Sequence, residues 1–455
     1  MLYDDTIAAI ATPVGEGGIG IIRLSGPEAL SILQSVFCAR SASNTWKPQR
    51  MRYGRVVNDA GETIDEGLAV YFRAPHSYTR EDVVEIHCHG GALSLRQTLE
   101  LVLLHGARLA EPGEFTLRAF LNGRVDLAQA EATLDLIQAR TQTGLSLALE
   151  QLGGRLSREI KAAREQVLHS LAYVTALVDF PEDDVPDEEV LAPLRAACAT
   201  VERLHESADQ GVIFRYGARA VLVGRPNAGK SSLLNALLQV DRAIVTPVAG
   251  TTRDTLEETA NLGGVPVVLV DTAGITTTDD PVEQIGVERS RRALESADLV
   301  LLVLDRSEPL TAQDEVIAAL SHHKPTIAVL NKADRPPLAD AEPLLHEHPM
   351  LRATAVVSAE TGSGITSLAM IVARTLLAGS PLTGMALVTN PRHRDALARA
   401  RTELRDAVAG LEHGMPIDLA AVHLTVAVQA LGEITGESVG EDLLAEIFSR
   451  FCIGK

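Results

Sequence analysis

Gly224-Arg225-Pro226-Asn227-Ala228-Gly229-Lys230-Ser231 is the stretch on which the fold turns. It has the form G-x-x-x-x-G-K-S, with an apolar run, Ala218–Val223, before it and the helical pattern Leu233–Leu238 after it. Strand, glycine-rich turn and helix in that order make a phosphate-binding loop. Glycine lets backbone N–H groups turn inward on phosphate oxygens, and the helix N-terminus adds positive potential. In this reading Lys230 reaches the β- and γ-phosphates and Ser231 ligates magnesium. Asn227, Ala228, Gly229 and Ser232 complete the phosphate-facing set.

Three later motifs follow in an order that names the base. Asp271-Thr272-Ala273-Gly274 ends the next apolar strand, where a carboxylate holds the magnesium shell and a glycine amide senses the γ-phosphate. Asn331-Lys332-Ala333-Asp334 ends the run Thr326–Leu330. A carboxylate at Asp334 accepts from the N1–H and exocyclic amine of guanine; adenine offers neither, so it would leave a buried acceptor unpaired. Ser358-Ala359-Glu360 closes another strand, where a backbone amide meets the guanine carbonyl. The ordered set predicts a GTP-binding module.

Between these motifs lies Gly250-Thr251-Thr252-Arg253-Asp254 in the switch position, with Thr252 the natural second hydroxyl on magnesium. Ile275 stands where Ras-like proteins carry the glutamine that orients attacking water, and isoleucine cannot do that. Glu283 is a candidate replacement, although from the residues alone a solvated surface carboxylate is the better reading.

The rest of the chain divides around this module. Residues 1–118 alternate short β-like runs, Ile7–Thr12, Ile19–Leu24, Met51–Val57, Gly67–Phe72 and Val83–His89, with a helix over Leu93–Leu104: an α+β domain. Residues 119–215 are helical, with apolar residues at Leu127, Ala130, Leu134 and onward, an acidic break over Asp179–Glu189, and a helix over Glu189–Ala208. Residues 216–378 alternate continuous apolar strands with helices, as in a parallel sheet covered on both faces. Residues 379–455 return to helix, so the expected architecture is multi-domain α/β: a Ras-like module inserted into an all-α domain behind an α+β domain.

Composition narrows the function classes. The 455 residues are 46% hydrophobic and carry 41 Lys plus Arg against 60 Asp plus Glu, a net charge of −19. That excludes a disordered chain and speaks against broad, unspecific coating of nucleic acid. Four scattered cysteines give no disulfide framework, no uninterrupted apolar run reaches membrane length, and the N-terminus lacks a secretory pattern, so the expected location is cytoplasmic. Two local patterns are set aside. Gly15–Gly20 contains G-x-G-x-x-G but runs into the extended Ile21–Leu24 rather than a helix. His87-Cys88-His89 sits on a strand whose alternation turns Cys88 away from both histidines.

The inserted module, the loop Gly250–Asp254 and the ending Phe451-Cys452-Ile453-Gly454-Lys455 together resemble the MnmE/TrmE family of tRNA uridine-modification GTPases. Ile21-Ile22-Arg23-Leu24-Ser25-Gly26 and the run Ala119–Glu131 match it too, so the likeness spans the chain. The resemblance implies potassium beside the nucleotide, held by Asn227, Thr246, Val248 and Thr251, and makes Glu283 the water-activating glutamate. It implies a folate site, for a 5-formyl or 5,10-methylene tetrahydrofolate, at Arg23, Glu81, Arg124 and Lys455, with Arg124 where some members have lysine. Cys452 would be a thiol near that site, or a cysteine packed beside Phe451; C-a-a-X prenylation is not expected. The family works as a homodimer whose GTPase domains also pair when active. It joins an FAD-containing partner, MnmG (GidA), in a heterotetramer-type complex that modifies C5 of the wobble uridine of certain tRNAs, without a membrane. A ribosome-associated switch GTPase is the competing reading, disfavoured by the charge and by the lack of a basic appendage after the module.

Overall fold

Alternation along the first hundred residues builds a sheet with one face covered by two helices, while Ile7 and Ala9 pack on the other face against Phe115. In the computed structural model, residues 4–13, 15–40, 45–179, 189–240, 257–271, 292–339, 341–377 and 388–454 are described. Strands β1 (Ile7–Ile10), β2 (Gly17–Ser25), β3 (Phe37–Ala39), β4 (Arg52–Val57), β5 (Thr63–Phe72), β6 (Val83–Gly90) and β7 (Arg108–Leu109) join in the order β3-β4-β5-β6-β2-β1-β7. Helices α1 (Ala29–Val36) and α2 (Ala92–Leu104) bury Ile22, Leu24, Val84 and Ile86 on one face. Each such side chain removed from water contributes about 1.5–3 kcal/mol. The intervening residues point the other way, and the antiparallel register of β2 on β6 sets Arg23 opposite Glu85.

The set-aside patterns read as expected. Gly17–Ser25 is a strand, so no helix opens at the glycine triplet. Cys88 is buried in the core while His89 is exposed.

By its contacts the chain separates into two units, Met1–Leu134 with Gly432–Lys455, and Asp135–Leu431. The first unit adds α3 (Glu114–Leu121) and the start of α4 (Leu127–Gln138), where Leu127, Ala130 and Leu134 pack on Ile447, Phe448 and Phe451 of the C-terminal segment.

In the second unit the helical stretch is divided. Helix α5 (Gln142–Leu152) ends at Gly153-Gly154, where Gly154 takes φ +75°, before α6 (Arg155–Asp179). Helix α7 (Leu191–Tyr216) extends beyond the expected Ala208, through Gly211. The expected acidic break between α6 and α7 lies at 180–188, outside the described residues. Gly217, at φ +81°, is the single residue between α7 and strand β8 (Ala218–Val223).

The inserted module then runs as α8 (Lys230–Val240), β9 (Glu257–Leu262), β10 (Val265–Asp271), β11 (Leu299–Asp305), α9 (Ala312–Leu320), β12 (Thr326–Asn331), α10 (Glu342–His346), β13 (Leu351–Val356) and α11 (Ile365–Leu376). Among the described residues its sheet has the order β13-β12-β11-β8-β10-β9. Five strands are parallel, but β9 is an antiparallel edge on β10 that the all-parallel reading missed. Leu299–Leu304 is buried at every position, as a strand covered on both faces must be.

Helices α12 (Pro391–Glu412), α13 (Ile417–Thr435) and α14 (Glu441–Ser449) complete the chain. By length and composition α13 could cross a membrane, although no uninterrupted apolar run was evident in the sequence. Its buried Ala420, Leu424, Ala427, Leu431 and Ile434 recur at the spacing of a helix packed within protein.

Candidate functional site

The phosphate-binding loop grows from the C-terminal end of β8, a strand flanked by β10 and β11. A side chain at Gly224 would bring its Cβ to 2.3 Å from the Val303 carbonyl, so the tight exit from the strand needs glycine. Asn227 sits in the left-handed region at φ +64°, a conformation asparagine tolerates better than most residues. Gly229 has φ +92°, and a Cβ there would lie 2.3 Å from Asn331 Nδ2. Helix α8 begins at once with Lys230, aiming its unpaired N–H groups at the loop.

Lys230 is buried and its Nζ donates to the carbonyls of Gly224 at 2.9 Å and Arg225 at 2.8 Å. Burial pushes the ammonium below its ordinary pKa, opposed by the Asp271 carboxylate. Ser231 Oγ donates to Asp271 Oδ2 at 2.7 Å, joining the first two nucleotide motifs. The other Asp271 oxygen, Oδ1, is buried with no hydrogen-bond partner among the described residues. Arg225 pairs at 2.9 Å with Asp314, which also closes the Thr311 capping box of α9 and so ties the loop to that helix.

On the base side, Asn331 acts as a brace. Its Nδ2 donates to the Ala228 carbonyl at 3.0 Å, and its Oδ1 accepts from the Ala359 N–H at 3.1 Å. Of the Ser358-Ala359-Glu360 amides expected near guanine, that of Ala359 donates to Asn331 and that of Ser358 to the Ser363 carbonyl. Ser358 Oγ donates to Asp334 Oδ1 at 2.5 Å and holds that carboxyl below the usual range. Lys332, at φ +63°, turns its ammonium onto the buried Asp305, 2.5 Å away. Burial would raise the Asp305 pKa, but the Lys332 and Ser307 hydrogen bonds outweigh it and keep the group anionic.

Thus Ser231 meets Asp271, Asn331 links Ala228 to Ala359, and Asp334 meets Ser358. Ser232 is exposed on the first turn of α8. Thr246, Val248, Thr251, Thr252, Thr272, Ala273, Gly274, Glu283 and Lys455 lie outside the described residues. Sequence reasoning missed Asp305 and Asp314. Asp305 ends an apolar strand, as Asp271 does, and that position was the available signal; Thr311-Ala312-Gln313-Asp314 has the spacing of a capping box, which marks a helix start but not the pairing with Arg225.

A second cluster lies in the N-terminal unit. Arg23 pairs with Glu85 at 2.9 Å and donates to the Gly454 carbonyl at 3.2 Å. Its guanidinium carbon is 6.0 Å from the Tyr78 ring centre, and that of Arg124 is 5.2 Å away, so one ring positions both cations. Arg124 also donates to the Ser77 carbonyl. Glu81 accepts from Ser25 Oγ at 2.6 Å and pairs at 3.3 Å with Arg118, a fully buried arginine that also holds Asp5 and Glu114. Cys452 is exposed rather than packed beside Phe451. Among the described residues no group of His, Cys, Asp and Glu forms a metal site.

Comparison with known proteins bears on both clusters. The family model for the MnmE helical domain matches residues 127–452, and that for the GTP-binding protein TrmE N-terminus matches residues 6–124. The chain is 59% identical to the tRNA modification GTPase MnmE of Roseiflexus sp. (strain RS-1), covering 100% of both. It is 60% identical to the protein of that name from Chloroflexus aurantiacus, covering 99% of this chain and 100% of the relative. Among solved structures, a point variant of Aquifex aeolicus Era bound to GDP.AlF4- is 31% identical and covers 41% of this chain and 66% of that one. The TM-score of that pair is 0.30.

Proposed function

The chain belongs to the MnmE/TrmE family of tRNA-modification GTPases, and from that premise we propose how its two clusters divide the work. It is a GTP hydrolase acting in tRNA modification. The finer proposal is that, with an FAD-containing partner of the MnmG type, it installs an aminomethyl or carboxymethylaminomethyl group at C5 of the wobble uridine. The observation that carries the nucleotide part is the Asn331 brace, which sets the phosphate loop and the base-reading Asp334 in one frame.

Asp334, kept anionic by the Ser358 hydroxyl, accepts two guanine donors. Lys230 leaves its loop carbonyls for the β- and γ-phosphates, exchanging neutral acceptors for charged ones. The partnerless Asp271 Oδ1 and the neighbouring Ser231 hydroxyl suit a hard divalent cation. Ser231 and Thr252 would ligate magnesium, which supplies charge neutralisation at the phosphates. Asn227, with Thr246, Val248 and Thr251, would hold potassium, whose charge would offset that developing between the β- and γ-phosphates. Glu283 would orient the attacking water, since Ile275 has no polar atom for it.

In the N-terminal unit, Glu81 offers an acceptor to pterin donors, while Arg23, Arg124 and Lys455 suit the glutamate tail of a tetrahydrofolate. The shared Tyr78 ring supports this by fixing two of those cations. Cys452 would lie beside that ligand as an exposed thiol. The chain would act as a homodimer whose GTPase modules close across the nucleotide, with the flavin on the partner. Reconstitution with the flavoprotein, unmodified tRNA, GTP and folate labelled at the one-carbon group tests this. Label on uridine is expected; modified uridine without label would sink the folate assignment. Equal GTP turnover in potassium and sodium would sink the cation assignment.

A further inference from the structure

Between Glu28 and Asp59 the chain carries Arg40, Lys47, Arg50, Arg52 and Arg55 and no Asp or Glu, in a protein with 60 acidic residues against 41 basic. The fold gathers this segment at one margin of the N-terminal sheet. Arg40 follows the edge strand β3, Arg52 and Arg55 lie on its neighbour β4, and Lys47 and Arg50 lie just before β4. Arg40, Lys47, Arg50 and Arg55 are exposed, and none of the four has a carboxylate within 4.0 Å among the described residues. Arg23, Arg108 and Arg118 of the same unit each hold a carboxylate, whereas Arg80 and Arg124 donate to backbone carbonyls.

One acid faces the patch: Glu66 lies across from Arg55 in register and accepts the Tyr53 hydroxyl at 2.8 Å, so it offsets part of the charge without pairing directly with any of the four. Arg52 stacks on Trp46, 4.9 Å from ring centre to guanidinium, and Trp46 in turn meets Phe37 edge-on, which fixes that cation at the margin. Four exposed cations and one stacked on an indole, within a few residues of each other on a strongly acidic protein, concentrate a positive field at this margin. Such a field fits a polyanion whose charges are closely and regularly spaced.

We propose that this β3–β4 margin is a contact surface for the sugar–phosphate backbone of tRNA. The proposal rests on the family's action on tRNA and adds where this chain touches it. Contact through Lys and Arg to phosphates positions the RNA without reading its bases. It also reconciles a net charge of −19 with an RNA substrate: repulsion over most of the surface leaves one margin at which the RNA docks.

The test uses the full chain with Lys47→Gln, Arg50→Gln and Arg55→Gln combined, which keeps side-chain length and removes three charges. A control carries Arg96→Gln, Arg394→Gln and Arg450→Gln, exposed or half-exposed positions outside the patch with the same change in net charge. Binding of an unmodified tRNA transcript is followed by fluorescence anisotropy across 50–200 mM salt, alongside GTP turnover and thermal midpoint. Neutralising three phosphate contacts predicts about a tenfold or greater loss at intermediate salt and a salt slope smaller by about 2–3. GTP turnover and midpoint should match the parent. Equal losses in patch and control variants would overturn the proposal, as would a parent chain with no salt-dependent tRNA binding. Unchanged tRNA binding with weakened capture of the purified FAD-containing partner would overturn it in favour of a protein interface.

Discussion

Asn331→Ala removes the brace between the phosphate loop and the base-reading loop. The side chain is 1% exposed and makes two hydrogen bonds, at 3.0 Å to the Ala228 carbonyl and 3.1 Å from the Ala359 amide. Ala228 is itself buried, so its carbonyl is left without a partner, which costs about 1–3 kcal/mol. The Ala359 amide is only partly buried and recovers water, so its loss is nearer 1 kcal/mol. The sum, roughly 2–4 kcal/mol, corresponds to about 30-fold to nearly a thousandfold in an equilibrium constant. Urea unfolding without nucleotide and binding of a fluorescent GDP analogue divide that sum. A lower urea midpoint in the nucleotide-free chain reports the brace, because a side chain that merely touched guanine would leave that midpoint alone. Asn331→Asp keeps the acceptor for Ala359 but sets negative charge against the Ala228 carbonyl, so it should be no milder. An Asn331→Ala chain with the parent's nucleotide-free midpoint would refute the reasoning.

Other perturbations follow from the same geometry. Gly229→Ala forces a Cβ to 2.3 Å from Asn331 Nδ2 at φ +92°; GDP-analogue affinity should fall at least tenfold, and an unchanged affinity would show that the loop relaxes freely. Arg118→Met strips the cation from Asp5, Glu81 and Glu114, and breaking a buried pair of this kind should cost about 3–5 kcal/mol in urea unfolding; a loss under 1 kcal/mol would contradict it. Burial and the neighbouring His322 hold His348 below the ordinary histidine pKa, and its ring bonds Ser321 at 2.9 Å. Above pH 6.5 the ring is neutral both folded and unfolded. As the pH falls below 6.5 the unfolded chain takes the proton first, so stability declines until the lowered folded value is passed. His348→Gln should flatten that acid limb of the urea midpoint between pH 7.5 and 5, and a limb of unchanged slope would assign it to other groups.

The parts of the fold that were legible in the sequence are those whose neighbours are close along the chain. Leu299–Leu304 reads as a doubly covered strand because every residue is apolar. The loop Gly224–Ser231 reads as a phosphate cradle because the whole motif falls on eight consecutive residues between an apolar strand and a helix. Glu257–Leu262 was not legible: its residues are largely polar, and only antiparallel pairing with Val265–Val270 makes it a strand. Helix α7 was expected to end at Ala208, but it runs on past Gly211, which serves a close approach: a Cβ there would lie 2.1 Å from the Val388 carbonyl. The same limit applies to the sites. Lys230 and Asp334 announce themselves by motif, but the hold of Arg118 on Glu81 joins residues 37 positions apart, and spacing carries no trace of it.

One junction has a mechanical corollary. Helix α7, 26 residues long, spans about 39 Å, and one residue, Gly217, separates it from the strand that ends at the phosphate loop. A linker of several residues would absorb small displacements as slack; a lone glycine has two torsions with which to do so. A tilt of about 5° at that joint therefore swings the distant tip by roughly 3 Å over such a rod. A small displacement at the strand's exit, if it reached that joint as a tilt, would arrive enlarged at the far end of the helix.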